Sequence, residues 1–349
     1  MVVPATAGTH DFQKEEPGPG LRGGDFFRPS LQGKSGSDPD LSRLNRANLA
    51  AGLAWIGLAI VCWTPLFSVA KRTLPHLDAY ALGSVRYLIG IAVFVALLAA
   101  FEGRGALRYE GRLGLATLVG LIGITGFNLF VWIGLSYTRP EHASIILALQ
   151  TPLTALAVWL ARGQRPAAFT LGCVLVAFAG VVLVVTKGDP RAAIEAGELL
   201  GDVLIFLGAL SWTTYTLAGA WKFPGWSPLR MTVLTCIPGT VGLLVANAIA
   251  VVLGDAEVPT FASIGSVAWQ IAYFSIGTVV LGVLGFNAAA RRLGPLNTML
   301  MLNFIPVGVF AIEASLGRSF AAIELAGAAV VIAALAANNL YLRGLSRRR

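Results

Sequence analysis

Arg86 lies two turns into an apolar run, 78–101, and is the one basic side chain set well inside such a run. A charge at the bilayer centre costs about 2.5–3.5 kcal/mol on insertion scales. A guanidinium kept there snorkels to an interface, clamps backbone carbonyls, or gates or couples a passage. Polar side chains recur at helical spacing in other apolar runs. Asn128, Trp132 and Ser136 fall at i, i+4 and i+8. Gln150 and Thr154 share a stripe, with Thr151 beside them. Thr213 and Thr216 take one side of a further run, and Trp212 and Tyr215 the adjoining side. Tyr273, Gly277, Asn287 and Arg291 align, as do Asn303, Pro306, Phe310 and Glu313. Each such group either bonds a neighbouring helix, worth about 0.6 kcal/mol on average, or faces a polar passage.

Aromatic walls with amide and hydroxyl donors suit a small neutral or zwitterionic molecule, such as an amino acid or an analogue. The middle of each run is free of acidic residues, which disfavours a site for bulky cations. A second deep Lys or Arg is missing, which disfavours phosphorylated sugars. The candidate substrate contacts are Trp63, Thr64, Asn128, Trp132, Gln150, Thr154, Trp212, Tyr215, Asn287 and Asn303. Arg86 and Glu313 are candidates for coupling or gating, Glu313 as the proton carrier. Pro65, Pro152 and Pro306 free carbonyls and allow kinks, so they join that group. His142, at the start of its run, reads as a solvated cap.

Hydrolytic and ATP-driven chemistry lack their residues. The one Gly-x-Ser-Gly, Gly33 to Gly36, sits in a polar tail, and no His lies deep in a run to partner a serine. A phosphate loop needs Gly five residues before Gly33-Lys34-Ser35, where Arg28 stands. The expectation is a chain that is not an enzyme and carries neither cofactor nor metal.

The elements that must position these groups follow from composition. The 349 residues are 56% hydrophobic and 13% charged, where a soluble domain has about 25% charged residues. The net charge of +8 is spread over short loops, so it signals topology and not nucleic acid. Cys62, Cys173 and Cys236 all lie in apolar runs and read as packing residues. Residues 1–48 form a polar tail whose composition cannot bury a core, and it has no apolar signal region. Ten apolar runs follow: 49–70, 78–101, 113–137, 142–161, 168–186, 199–221, 229–253, 267–290, 296–316 and 321–341. Each approaches the roughly 20 residues of a membrane span, so the fold class is an all-α polytopic membrane protein in a lipid bilayer. Lys and Arg favour the side of both termini, which puts both in the cytoplasm, with a basic C-terminus at 342–349. Runs 1, 3, 4, 6, 8 and 9 carry the polar stripes and are expected to line a cavity. Runs 5 and 10 pack behind.

The chain is built twice. Gly52, Leu58, Trp63 and Thr64 return as Gly201, Leu207, Trp212 and Thr213. Gly126-Phe127-Asn128 returns as Gly285-Phe286-Asn287, and Pro152 as Pro306, while Gly172 aligns with Gly327. Halves of five runs, 49–187 and 198–341, enter from opposite faces, and such inverted repeats place a substrate near the midplane. This pattern resembles the EamA family of the drug/metabolite transporter superfamily. The Trp63 stretch is similar to its first helix, Ser84-Val85-Arg86-Tyr87 to its second, and Leu293-Gly294-Pro295 with Pro306 to its ninth. The resemblance implies a secondary transporter of the bacterial inner membrane, an exporter working by alternating access. One family feature is missing: Leu316-Gly317 is followed by Arg318 and not by Glu. The alternatives are another cargo of the superfamily, such as a nucleotide-sugar, sugar or drug-like compound, or a receptor or scaffold.

Overall fold

The computed structural model describes residues 39–163, 165–189, 191, 197–223, 225–293, 298 and 301–346, with backbone alone at 39–47, 220, 290, 291, 339 and 342–346. Among them the ordered elements are all helical. Eight helices are long and apolar enough to cross a membrane: α1 Asn48–Thr73, α2 Ala79–Phe101, α3 Leu113–Tyr137, α4 Pro140–Arg162, α5 Ala168–Thr186, α6 Glu198–Gly219, α7 Pro228–Leu253 and α8 Ala268–Ala289. Two shorter apolar helices follow, α9 Phe304–Ser315 and α10 Ala322–Asn338. The first part of the ninth run, with Gly294 and Pro295, lies outside the described residues.

Local chemistry sets the ends. Asp78 caps α2, its Oδ1 accepting from the amides of Tyr80 and Ala81 at 2.9 Å. Ser227 caps α7 by accepting from the amide of Arg230, and Pro228 takes the first helical position, where no donor is needed. Helical backbone already begins at Pro39, ten residues ahead of the expected start of the first run. Pro39 and Asp40 supply a proline and an acid for a first turn, which the polar composition of the tail obscured.

The irregularities recur in both halves. Helix α4 is interrupted at Leu149, three residues before Pro152. The turn at Asn303 likewise lies three residues before Pro306. Proline removes a backbone donor and crowds the preceding turn, so the helix yields just ahead of it. Helix α1 is broken at Thr64–Pro65, whereas its repeat mate, with Thr213 and Thr214 there, runs unbroken. Both α3 and α8 widen into π-helix, at Leu121–Gly126 and Tyr273–Gly282.

Packing follows the repeat. Helix α1 lies on α8 as α6 lies on α3, and α2 pairs with α7, α4 with α9 and α5 with α10. Exchanging the halves maps this set of pairs onto itself, as a two-fold repeat requires. Helices α5 and α10 bind chiefly each other. Their backbones meet where a Cβ on Gly180 would lie 2.9 Å from the Gly327 carbonyl. Gly172, the aligned mate of Gly327, is exposed and touches nothing there.

Candidate functional site

Arg86 on α2 is 5% exposed, so it does not snorkel. Its guanidinium carbon stands 4.8 Å from the centre of the Trp132 ring and 5.1 Å from that of Tyr87. Among the described residues its Nε and Nη1 have no hydrogen-bond partner, so the carbonyl-clamp reading fails for these atoms. Nor does a described carboxylate pair with it. Rings stabilise such a cation in part; an anion would complete it.

A relay holds the floor of this centre. The Trp132 indole donates to Asn128 Oδ1 at 2.9 Å, and Asn128 Nδ2 donates to the Ile124 carbonyl at 2.6 Å. That carbonyl belongs to the π segment of α3. Asn128 therefore spends its amide on fixing the Trp132 ring below Arg86. Phe274 of α8 backs the ring, with centroids 6.3 Å apart.

The other sequence candidates are spread through the bundle. Trp63 donates its indole N–H to the Thr278 carbonyl at 2.9 Å and packs on Phe286, joining α1 to α8. Thr64 touches α9 at Gly308, where an added Cβ would strike its methyl. Trp212 packs between Phe127 and Tyr215, and the Tyr215 hydroxyl lies 3.2 Å from Thr235 Oγ1. Thr154 donates to the Gln150 carbonyl at 2.7 Å. Gln150 and Asn287 are half-buried, while Asn303 is buried with its Nδ2 unpartnered among the described residues. Pro152 and Pro306 are buried and Pro65 half-buried. Glu313 is 8% exposed, with Arg72 Nη1 3.8 Å away.

A second polar centre occupies the end of the bundle where α4 begins. His142 is fully buried there, and so is not a solvated cap. Burial follows from packing of α4 against α6 and α9. Its Nδ1 lies 3.3 Å from both carboxylate oxygens of Asp202 on α6 and 3.2 Å from Thr138 Oγ1. Glu141, 0% exposed, meets Arg318 Nη2 at 2.6 Å in an ion pair outside hydrogen-bond angles. The same Nη2 reaches Glu324 Oε1 at 3.2 Å. Glu141, His142 and Glu324 each bring one atom within 4.8 Å of the others. Arg318 already supplies the positive charge between the two carboxylates, so the group is an ion-paired cluster. Of these residues the sequence marked His142 as a cap and Arg318 as a departure from the family's Glu, and no local spacing joins groups so far apart in the chain.

The opposite end is tied by half-buried groups around an exposed Glu110. Arg230 Nη2 lies 2.8 Å from Glu110 Oε1 and donates to the Arg108 carbonyl at 2.6 Å. The Trp226 indole donates to Glu110 Oε2 at 3.1 Å, and Ser227 donates to Glu102 at 2.5 Å. The hydrogen bonds from Arg230 and then Trp226 hold the Glu110 carboxyl below the usual carboxylate range.

Paired apolar helices in two exchanged halves, a buried cation between them and ion pairs tying the halves at both ends define an integral membrane transporter. The chain belongs to the EamA-like transporter family, whose pattern matches residues 50–186 and 199–340. It is 28% identical to the uncharacterized transporter YrdR of Bacillus subtilis (strain 168) over 304 residues, 86% of this chain and 94% of the relative. It is 30% identical to the uncharacterized transporter YyaM of the same strain over 268 residues, 76% of this chain and 86% of that one. A solved structure titled "Crystal structure of protein" shares the fold, with a TM-score of 0.60 and 20% identity over 85% of this chain and 98% of that chain.

Proposed function

We propose that the chain is a secondary transporter that exports a small zwitterionic metabolite, an amino acid or analogue, across a bacterial inner membrane. Its halves work by alternating access, with both termini cytoplasmic. The observation that carries this reading is Arg86, buried over Trp132 and Tyr87 with two nitrogens unpartnered among the described residues. One buried cation calls for one carboxylate, which pairs with a guanidinium through charge-assisted hydrogen bonds. A zwitterion supplies that carboxylate while carrying no net charge of its own into the membrane. The Trp132 and Tyr87 rings supply apolar wall. Export rather than uptake rests on the family resemblance alone.

The test uses purified protein with amino acids, their amides and the corresponding amines. A ligand that binds the folded state raises thermal stability by mass action. The acids should stabilise and the amides should not. Removing one partner of a buried charge pair costs about 2–5 kcal/mol, so Arg86→Gln should weaken binding by at least about tenfold and abolish liposome transport. Leu175→Ala, on the exposed face of α5, should leave transport unchanged. Equal stabilisation by acids and amides would refute the carboxylate reading.

A further inference from the structure

We propose that an anionic phospholipid headgroup docks at the seam where α4 of the first half meets α6 of the second, held by Arg162, Arg165 and Lys222. The inference rests on the bundle's place in a membrane and not on the cargo or the direction of transport. Helix α4 packs on α6 and ends at Arg162, where Gly163 takes a φ of 66° that turns the chain. The Arg162 guanidinium carbon lies 4.1 Å from the centre of the Trp221 ring, across the seam. Past the turn, the Arg165 guanidinium carbon lies 5.9 Å from the centre of the Trp159 ring. Helix α6 runs on to Lys222, whose carbonyl accepts from Arg112 Nη1 at 3.3 Å. Arg162, Arg165 and Lys222 are exposed, and among the described residues no carboxylate pairs with them.

The shortage of acid reaches back to the chain itself. No Asp or Glu occurs between Glu141 and Asp189, nor between Asp202 and Asp255. The described carboxylates at this end, Glu102 and Glu110, are held on the α2–α7 side by Ser227, Trp226 and Arg230. Helix dipoles do not absorb the excess: α4 and α6 bring their negative ends here, while α3 and α5 bring positive ones. Stacking on a ring does not neutralise a guanidinium either; it covers a face and leaves the edge N–H groups able to donate. Basic bias in loops orients a span. It does not require guanidiniums laid on rings at a joint between two halves.

A lipid phosphate meets these features. It accepts paired hydrogen bonds from a guanidinium, and a lysine adds a point charge. Trp159 and Trp221 sit at helix ends, the level of headgroups. Leu160, 85% exposed beside Trp159 in the chain, offers apolar surface to an acyl chain. A soluble phosphate would use the cations alone. Basic sites between spanning helices recognise anionic headgroups by this combination. Because Arg162 and Trp221 belong to different halves, a bound headgroup bridges them.

The test needs no substrate, so a wrong cargo cannot mask it. The full chain goes into nanodiscs of mixed phosphatidylcholine and phosphatidylglycerol, and native mass spectrometry counts the lipids that stay bound. Phosphatidylglycerol should be retained in preference to phosphatidylcholine. One basic residue near an anionic surface is worth about fivefold in affinity, so Arg162→Gln and Arg165→Gln should each cut the preference by about that factor. Trp221→Leu leaves the charge unaltered and should also weaken it. Arg104→Gln removes the same charge from an exposed turn after α2, at this end, and should leave the preference unchanged. If Arg162→Gln does not fold, Arg165→Gln and Lys222→Gln carry the same expectation. Equal retention of the two lipids overturns the proposal. So does an equal loss with Arg104→Gln, which would mean a diffuse basic surface. Displacement of the lipid by glycerol phosphate would mean a site for soluble anions, and overturns it too.

Discussion

Trp132 cannot turn without cost, because its indole N–H has a single described acceptor, Asn128 Oδ1, in a fully buried setting. Asn128→Leu would orphan that N–H, and an unmet buried donor costs about 1–3 kcal/mol. Thermal unfolding should fall accordingly, and binding at Arg86 should weaken because its ring floor is loosened. Trp132→Phe keeps a ring and loses the donor, so it should bind better than Asn128→Leu. If both unfold like wild type, the relay is not structural. A second residue-scale effect depends on pH. Glu110 is held below the ordinary value of 4.5 by Arg230 first and Trp226 next. A depressed carboxyl contributes its stability in full above the ordinary value and loses it as pH falls through the depressed one. Glu110→Gln should therefore lower the unfolding temperature at neutral pH, and the gap should shrink once the medium is more acidic than 4.5. A gap that persists in strong acid would mean packing, not charge, is at work. Arg86 was legible in the sequence as a deep charge. That it stands over Trp132 was not, since one lies on α2 and the other on α3.

At the scale of helices, the repeat gave pairs of matching breaks whose cause is visible in Pro152 and Pro306. Their place, three residues upstream, is the turn that proline crowds. The mate of Gly327 was harder to read. Alignment puts Gly172 in register with it, but packing sets Gly180 against it, because alignment reports equivalent places in the two halves and not contact between them. Gly180→Leu should push α5 from α10 and lower expression and thermal stability. Gly172→Ala points into open space and should do neither. The comparison is a direct check that α5 and α10 support the bundle from behind. Equal damage by both changes would show that this contact is incidental.

The whole molecule is tied across its halves at both ends, by Arg318 with Glu141 at one and by Arg230 with Glu110 at the other. The first tie has a fully buried Glu141, whereas in the second Glu110 is exposed and Arg230 is largely buried. The bundle and its two halves could be read from hydropathy and repeated motifs, but these ties could not, because each joins residues more than a hundred positions apart. With both termini cytoplasmic, as proposed, reporters fused at 45 and 345 should both read inside; opposite readings would break the inverted repeat. With that orientation the Arg230 tie faces the cytoplasm and the His142 cluster faces outward. Alternating access demands that one tie break while the other holds. Arg230→Gln removes the inner tie, leaving Glu110 without its guanidinium. A cysteine at position 98, fully buried near that end of α2, should then react faster with an aqueous maleimide. Spin labels at exposed positions 137 and 316, one in each half at the other end, should at the same time report a short distance in a larger share of molecules. Under the proposed alternating access the two changes move in opposite senses. If position 98 becomes reactive and the 137–316 distance also widens, the ends open together, and the chain works as a channel and not by alternating access.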